Sequence, residues 1–171
     1  TRPGTDLSPE ERAANLASDL FITSDHPRIK ATVQEVVGNK QDPWQRAIKI
    51  HDWVYNNVKK TPVLSIPNAL DVLNTLEGDC NEHAVLFTAL ARAAGIPTRV
   101  AAGLVWSEDL QAFGYHAWAE VFVGEWIPMD PTFGQHAADA THIKLLNGGI
   151  DQWPKLLPYI GHMQIEVLEV K

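Results

Sequence analysis

The sequence predicts an α+β domain. Three observations lead there: a first half built of capped helical segments, a change to strand texture at Thr98, and between them one helix after Asp79 that is apolar over most of its circumference. Helices that precede an antiparallel sheet, with one central helix packed on it, form this layer arrangement. The 171 residues fit one domain, alone or with a short appendage. At 45% hydrophobic and 20% charged residues the composition is that of a globular chain. A chain of this length buries a sizeable core without covalent staples.

The elements follow in order. Ser8-Pro9-Glu10-Glu11 joins an N-cap, a proline at the first helical position and an acidic first turn, and predicts a helix to about Leu20. Asp25-His26-Pro27 starts a second helix with Ile29, Val33, Val36 and Val37 on its apolar face, closed by Gly38. Asp42-Pro43 opens a third, carrying Trp44, Ala47, Ile48, His51, Trp53, Val54 and Val58. A loop between Pro62 and Pro67 leads to a short helix from Asn68 that Gly78 ends. Asp79 starts the most apolar helix, with Ala84, Phe87, Ala91 and Ala94 in one stripe and Val85, Leu86 and Leu90 on its flanks. Such a helix is buried on several sides. Gly95 and Pro97 close it.

Residues 100–106, 115–123 and 126–130 read as strands, the last two joined through Gly124-Glu125. Residues 131–160 read as irregular, and Met163 to Val170 as a last strand. Residues 1–25 read as an N-terminal tail and helix, in the manner of a linker from a preceding domain, and residues 26–171 as the main domain.

Charge removes several classes of function. With 21 acidic and 14 basic residues the net charge is -7, and Lys59-Lys60 is the only basic doublet. Without a basic stripe to replace counterions, no nucleic-acid partner is expected. No run approaches ~18 apolar residues, so no membrane span is expected. The single Cys80 excludes an internal disulfide framework. The spaced aspartates of a calcium loop are absent, and no cofactor is expected. The chain begins at Thr1 without a leader pattern and reads as a mature form or a piece of a longer protein, which leaves cytoplasmic and exported locations both open.

The chemistry concentrates in three segments. In Gly78-Asp79-Cys80-Asn81-Glu82-His83, Asp79 and Glu82 have the spacing of a capping box, which places Cys80 at the first helical position. A helix N-terminus favours an anion and lowers a thiol pKa, and a nearby imidazolium lowers it further. The Cys80 N–H is then aimed where an oxyanion forms. A lone cysteine is otherwise most often a small buried hydrophobe. In Gly114-Tyr115-His116-Ala117-Trp118-Ala119-Glu120, His116 shares a strand face with Trp118 and Glu120, a setting in which histidines are commonly structural. In Trp126-Ile127-Pro128-Met129-Asp130-Pro131-Thr132, Asp130 ends a strand that Pro131 stops. Together they offer a nucleophile, a base and an orienting carboxylate.

These segments, with Ala89 to Val100 after the cysteine helix, resemble the core of the transglutaminase-like superfamily, of the bacterial type, from about Trp44 to Thr132 and in the family's order. The resemblance implies a papain-like fold, residues 26–171 as the transglutaminase-like domain, and acyl transfer on amide bonds of a protein or peptide substrate. It implies Cys80 as nucleophile, His116 as general base and then general acid, and Asp130 as the group that orients and charges the imidazole. Its members include peptidases, amidases, transglutaminases and inactive scaffolds. A cysteine peptidase or amidase is the first reading, protein cross-linking the second and an inactive binding domain the third. An arylamine acyltransferase matches in its triad alone.

The hairpin constrains the triad. A two-residue loop at Gly124-Glu125 would put Asp130 opposite Ala119, on the face away from His116. A three-residue loop, a five-residue loop or a bulge restores a common face, and with three residues Asp130 falls opposite Trp118 and diagonal to His116. Trp44, Trp53 and Asn57 are candidate second oxyanion donors, although the tryptophans also suit the core and Asn57 the surface. Cys80, His83, His116 and Asp130 are the rival set of metal ligands, without the second cysteine or paired histidines such a site commonly has. His83 reads as a polar residue behind the site or beside a groove, and His51 and His142 as structural. Asp139 and His142 have no assigned role. Trp106, Trp118 and Trp126 line a cleft or fill the core. An activated Cys80 is expected to react with iodoacetamide at mildly acidic pH.

Overall fold

The computed structural model describes residues 6–63, 68–108, 111–156, 158, 163 and 165. Helices α1 (Pro9–Ala14), α2 (Pro27–Val37) and α3 (Pro43–Asn57) come first, then α4 (Ala69–Thr75) between the two-residue strands β1 (Lys59–Lys60) and β2 (Glu77–Gly78). Helix α5 (Cys80–Ala93) precedes β3 (Thr98–Ser107), β4 (Ala112–Phe122), β5 (Trp126–Met129) and β6 (His142–Asn147), followed by a 3-10 turn at Ile150–Lys155. The last four strands form an antiparallel sheet in the order β5-β4-β3-β6. The α+β expectation therefore holds.

The caps place the helices. Ser8, His26, Asp42, Asn68 and Asp79 each accept a first-turn amide with a side-chain atom. Every residue of α5 from Glu82 to Ala91 is buried. Its apolar side chains meet Val100, Ala117, Ala119, Val121 and Met129 on one face of the sheet, and Ala47, Ile50 and Val54 of α3 on the other side. Strand alternation then sends His116 and Trp118 to the opposite face of β4.

Several expectations change. Helix α1 stops at Ala14, not Leu20. None of its residues is buried, and the side chains of Asn15 and Asp19 bond nearby backbone groups instead of continuing the helix. Leu76, in the left-handed conformation at φ 52, ends α4, while Gly78 pairs with Lys60 in β2. Residues 142–147, read as irregular, form β6; as an edge strand with exposed Lys144 and Leu145 it lacks the alternation that marks a half-buried strand. The expected strand from Met163 to Val170 lies largely outside the described residues. Among those residues no helix is long and apolar enough to cross a membrane.

The hairpin has a register that brings Asp130 to the face of His116. Phe122 pairs with Trp126 and Ala119 with Met129, so the loop has three residues, Val123, Gly124 and Glu125. Asp130 falls opposite Trp118, on the face of His116.

Candidate active site

Asp130 is fully buried, and its Oδ2 accepts a hydrogen bond from His116 Nε2 at 2.7 Å. Its Oδ1 accepts the Thr132 and Phe133 amides at 2.7 and 3.1 Å, the local turn that Asp-Pro-Thr favours. A second imidazole, His142, also reaches Oδ2 through Nε2 at 3.0 Å. Burial works against ionisation of Asp130, but the hydrogen bonds from His116 and His142 outweigh it and hold the carboxyl well below the usual range. The sequence reads His142 as structural; the structure places it in this cluster. Burial lowers its pKa, yet Asp130 and Asp139 together raise it above the ordinary value.

Aromatic rings enclose His116. Phe133 stacks on it at 4.5 Å between centroids and 10° between planes, with nearly half of Phe133 exposed. Trp118, almost fully buried, lies beneath, 6.2 Å from His116 and 5.1 Å from His142. Trp118 is thus the floor of the site. Trp106 donates to Glu108, and Trp126 lies under the Arg99 guanidinium.

The capping box forms as expected. Asp79 accepts the Asn81 amide at 2.9 Å, and Glu82 accepts the Asp79 amide at 3.0 Å. Cys80 is half-buried at the first position of α5. The Ala117 amide, next in the chain to His116, acts on the thiol in the direction that favours the thiolate. Strand β5 ends at Met129 and leaves that stretch of β4 as an edge, which lets the helix terminus reach it. Among the described residues no hydrogen bond joins the sulfur to the imidazole. His116 spends Nε2 on Asp130, so Nδ1 is the nitrogen left to serve the thiol.

The thiol pKa differs in sign from the sequence expectation. Burial pushes Cys80 up to about 12; the Ala117 amide opposes this, and the charges of Asp79, Asp130 and Glu82 add to it. Desolvation is the largest cause, and the neighbouring carboxylates act in the same direction. Glu82, itself almost fully buried, is shifted upward by burial and by Asp79 beside it. Tyr115, absent from the sequence candidates, is close enough that burial and the Cys80 charge raise its phenol pKa.

The remaining candidates fall elsewhere. His83 is fully buried, donates from Nδ1 to the Asp79 carbonyl at 2.7 Å and lies 3.3 Å from the Val58 carbonyl through Nε2. It ties α5 to the end of α3. The rival ligand set does not assemble: the clusters of possible ligands among the described residues contain neither Cys80 nor His83. Trp44 and Trp53 pack against the core, and Asn57 donates to the Trp53 carbonyl within its own helix. His51 is buried on α3, with Nε2 3.0 Å from the Asp130 carbonyl oxygen.

The sequence profile of the transglutaminase-like superfamily matches residues 30–131, starting somewhat before the motif likeness at Trp44. Among solved structures, a protein of Cytophaga hutchinsonii described as a putative cysteine protease superposes with a TM-score of 0.72 at 27% identity, over 86% of this chain and 50% of that one. The periplasmic domain of TgpA from Pseudomonas aeruginosa superposes with a TM-score of 0.59 at 23% identity, over 76% of this chain and 49% of that one, a likeness of fold alone. The chain thus spans about half the length of either. No curated protein matches it significantly in sequence.

Proposed function

Because the chain belongs to the transglutaminase-like superfamily, we propose that it is a cysteine-dependent enzyme of acyl transfer on amide bonds, first of all a peptidase or amidase, with Cys80, His116 and Asp130 as its catalytic residues. The observation that carries this reading is the buried His116–Asp130 pair, 2.7 Å apart, with His116 on the strand whose Ala117 amide acts on the Cys80 thiol. The likeness to a structure described as a cysteine protease favours hydrolysis over cross-linking.

In this mechanism the resting thiol is neutral. Its proton passes to His116 Nδ1 as sulfur attacks the carbonyl carbon, and Asp130 stabilises the imidazolium through Nε2–H. The Cys80 N–H, a first-turn amide of α5, donates to the oxyanion. His116 then protonates the leaving amine, the C–N bond breaks and a thioester remains. Water gives its proton to His116, attacks the thioester, and returns the acid product and the thiol. Phe133 and Trp118 keep the imidazole in one plane throughout.

Incubation with a labelled amine and a glutamine-containing protein separates the readings. Peptide release without label incorporation is expected; incorporation assigns the chain to cross-linking, and neither outcome to a scaffold role. A neutral resting thiol has its own signature. The rate of Cys80 alkylation by iodoacetamide is expected to rise about tenfold per pH unit from pH 6 to 9, because only the thiolate reacts. A plateau below neutrality would contradict the neutral thiol.

A further inference from the structure

Against the main chain of Asp130, three side chains gather that the proposed reaction does not use. His51 and Asp52 are neighbours on α3, and His136 comes from the loop after β5. One ligating atom from each lies within 4.8 Å of the others. Asp52 Oδ1 is 3.1 Å from His51 Nδ1 and 2.6 Å from His136 Nε2.

The tautomer of His51 makes this cluster more than a surface ion pair. Its Nε2 faces the Asp130 carbonyl oxygen at 3.0 Å, and a carbonyl only accepts, so Nε2 carries a hydrogen. In the neutral ring Nδ1 is then a lone pair aimed at a carboxylate oxygen. Two lone pairs at that distance call for a cation between them. A divalent metal ion held by Nδ1 and by the carboxylate oxygen is such a cation. An imidazole that donates one N–H to a main-chain carbonyl and offers the other nitrogen is the arrangement that orients histidine ligands in metal sites.

We propose that His51 Nδ1, Asp52 and His136 Nε2 form a binding site for a divalent cation of the zinc class, separate from the Cys80 site. Two imidazoles and a carboxylate are borderline and hard donors that suit zinc and leave a fourth position for water. The ion clamps α3 to the loop that follows Asp130. That loop already lies against α3: a Cβ on Gly134 would meet the Tyr55 ring at 2.9 Å, and Asp130 and Gln135 exchange main-chain hydrogen bonds at 2.9 and 3.0 Å. The clamp therefore sits one peptide group from the catalytic carboxylate and steadies it without touching substrate.

The test is calorimetric titration of chelator-treated protein with zinc chloride, with Tm recorded alongside. His136→Ala and Asp52→Asn alter exposed residues and keep the fold, and His142→Ala removes a member of the other cluster near Asp130. One zinc per chain is expected, with a Tm rise of several degrees, in the wild type and in His142→Ala. Both responses are expected to disappear in His136→Ala and in Asp52→Asn. Absence of binding by wild type at millimolar zinc, wild-type binding by His136→Ala, or binding lost only in His142→Ala would each overturn the proposal. The readout does not depend on Cys80 activity.

Discussion

Replacing Asp130 by Asn is expected to lower turnover by about 10⁴-fold while the domain stays folded. The substitution keeps the shape, and the new amide oxygen still accepts the Thr132 and Phe133 amides that Oδ1 accepts now. The other atom changes from an acceptor to a donor. His116 and His142 both present Nε2 to it, and each must then offer a lone pair instead of a hydrogen. A neutral His116 with its hydrogen on Nδ1 has nothing with which to accept the thiol proton. Loss of the charge-assisted bonds lowers stability by about 2 kcal/mol, which for a chain of this length lowers Tm by about 4–8 °C. Asp130→Ala leaves two imidazoles facing a void and is expected to lose about 3–5 kcal/mol.

The sign of the pH dependence follows from the depressed carboxyl. Its stabilisation is present above the unfolded value of about 3.9 and is lost as pH falls toward the folded one, so the Tm gap between wild type and Asp130→Asn starts to narrow near pH 4 and closes only well below it. Peptide or ester turnover together with differential scanning calorimetry checks both halves. Unchanged turnover in Asp130→Asn would remove Asp130 from the relay.

The second large effect is expected in the sheet. Gly103 sits where β3 and β6 shift register, and a Cβ there would come within 2.0 Å of the Ile143 carbonyl oxygen. That oxygen belongs to the backbone, so it yields only if β6 moves. In a strand, glycine marks such a close approach of another chain segment. Gly103→Ala is expected to lose about 3 kcal/mol, or about 6–12 °C in Tm. His142 begins β6, so the same shift withdraws its imidazole from Asp130, and turnover falls by less than in Asp130→Asn because His116 keeps its partner. A variant with wild-type Tm would show that β6 does not hold the register described.

The site was legible where local rules decide. Asp79 and Glu82 announce a capped helix, which puts Cys80 at its start. The need for His116 and Asp130 to share a face was enough to exclude a two-residue hairpin, and the loop has three residues. His142 was not legible, because β6 is an edge strand without alternation and its reach to Asp130 is a tertiary contact. Phe133 and Tyr115 meet the site through the loop and the strand edge, which no periodicity encodes. The thiol misled for the same reason: the helix terminus is written in the sequence, while the burial and the Asp130 charge that oppose it arise only on folding. Asn15 and Asp19 shortened α1 in a way that composition permits but does not announce.

Rapid-quench intact-mass spectrometry during turnover of 4-nitrophenyl acetate addresses the central claim most directly. A burst of one acetyl group per chain, mapped to the Cys80 peptide, absent from Cys80→Ala and formed much more slowly by His116→Ala, is the predicted result. Turnover with the acetyl group on another residue, or acylation of Cys80 at the same rate without His116, would contradict the relay of sulfur, imidazole and carboxylate.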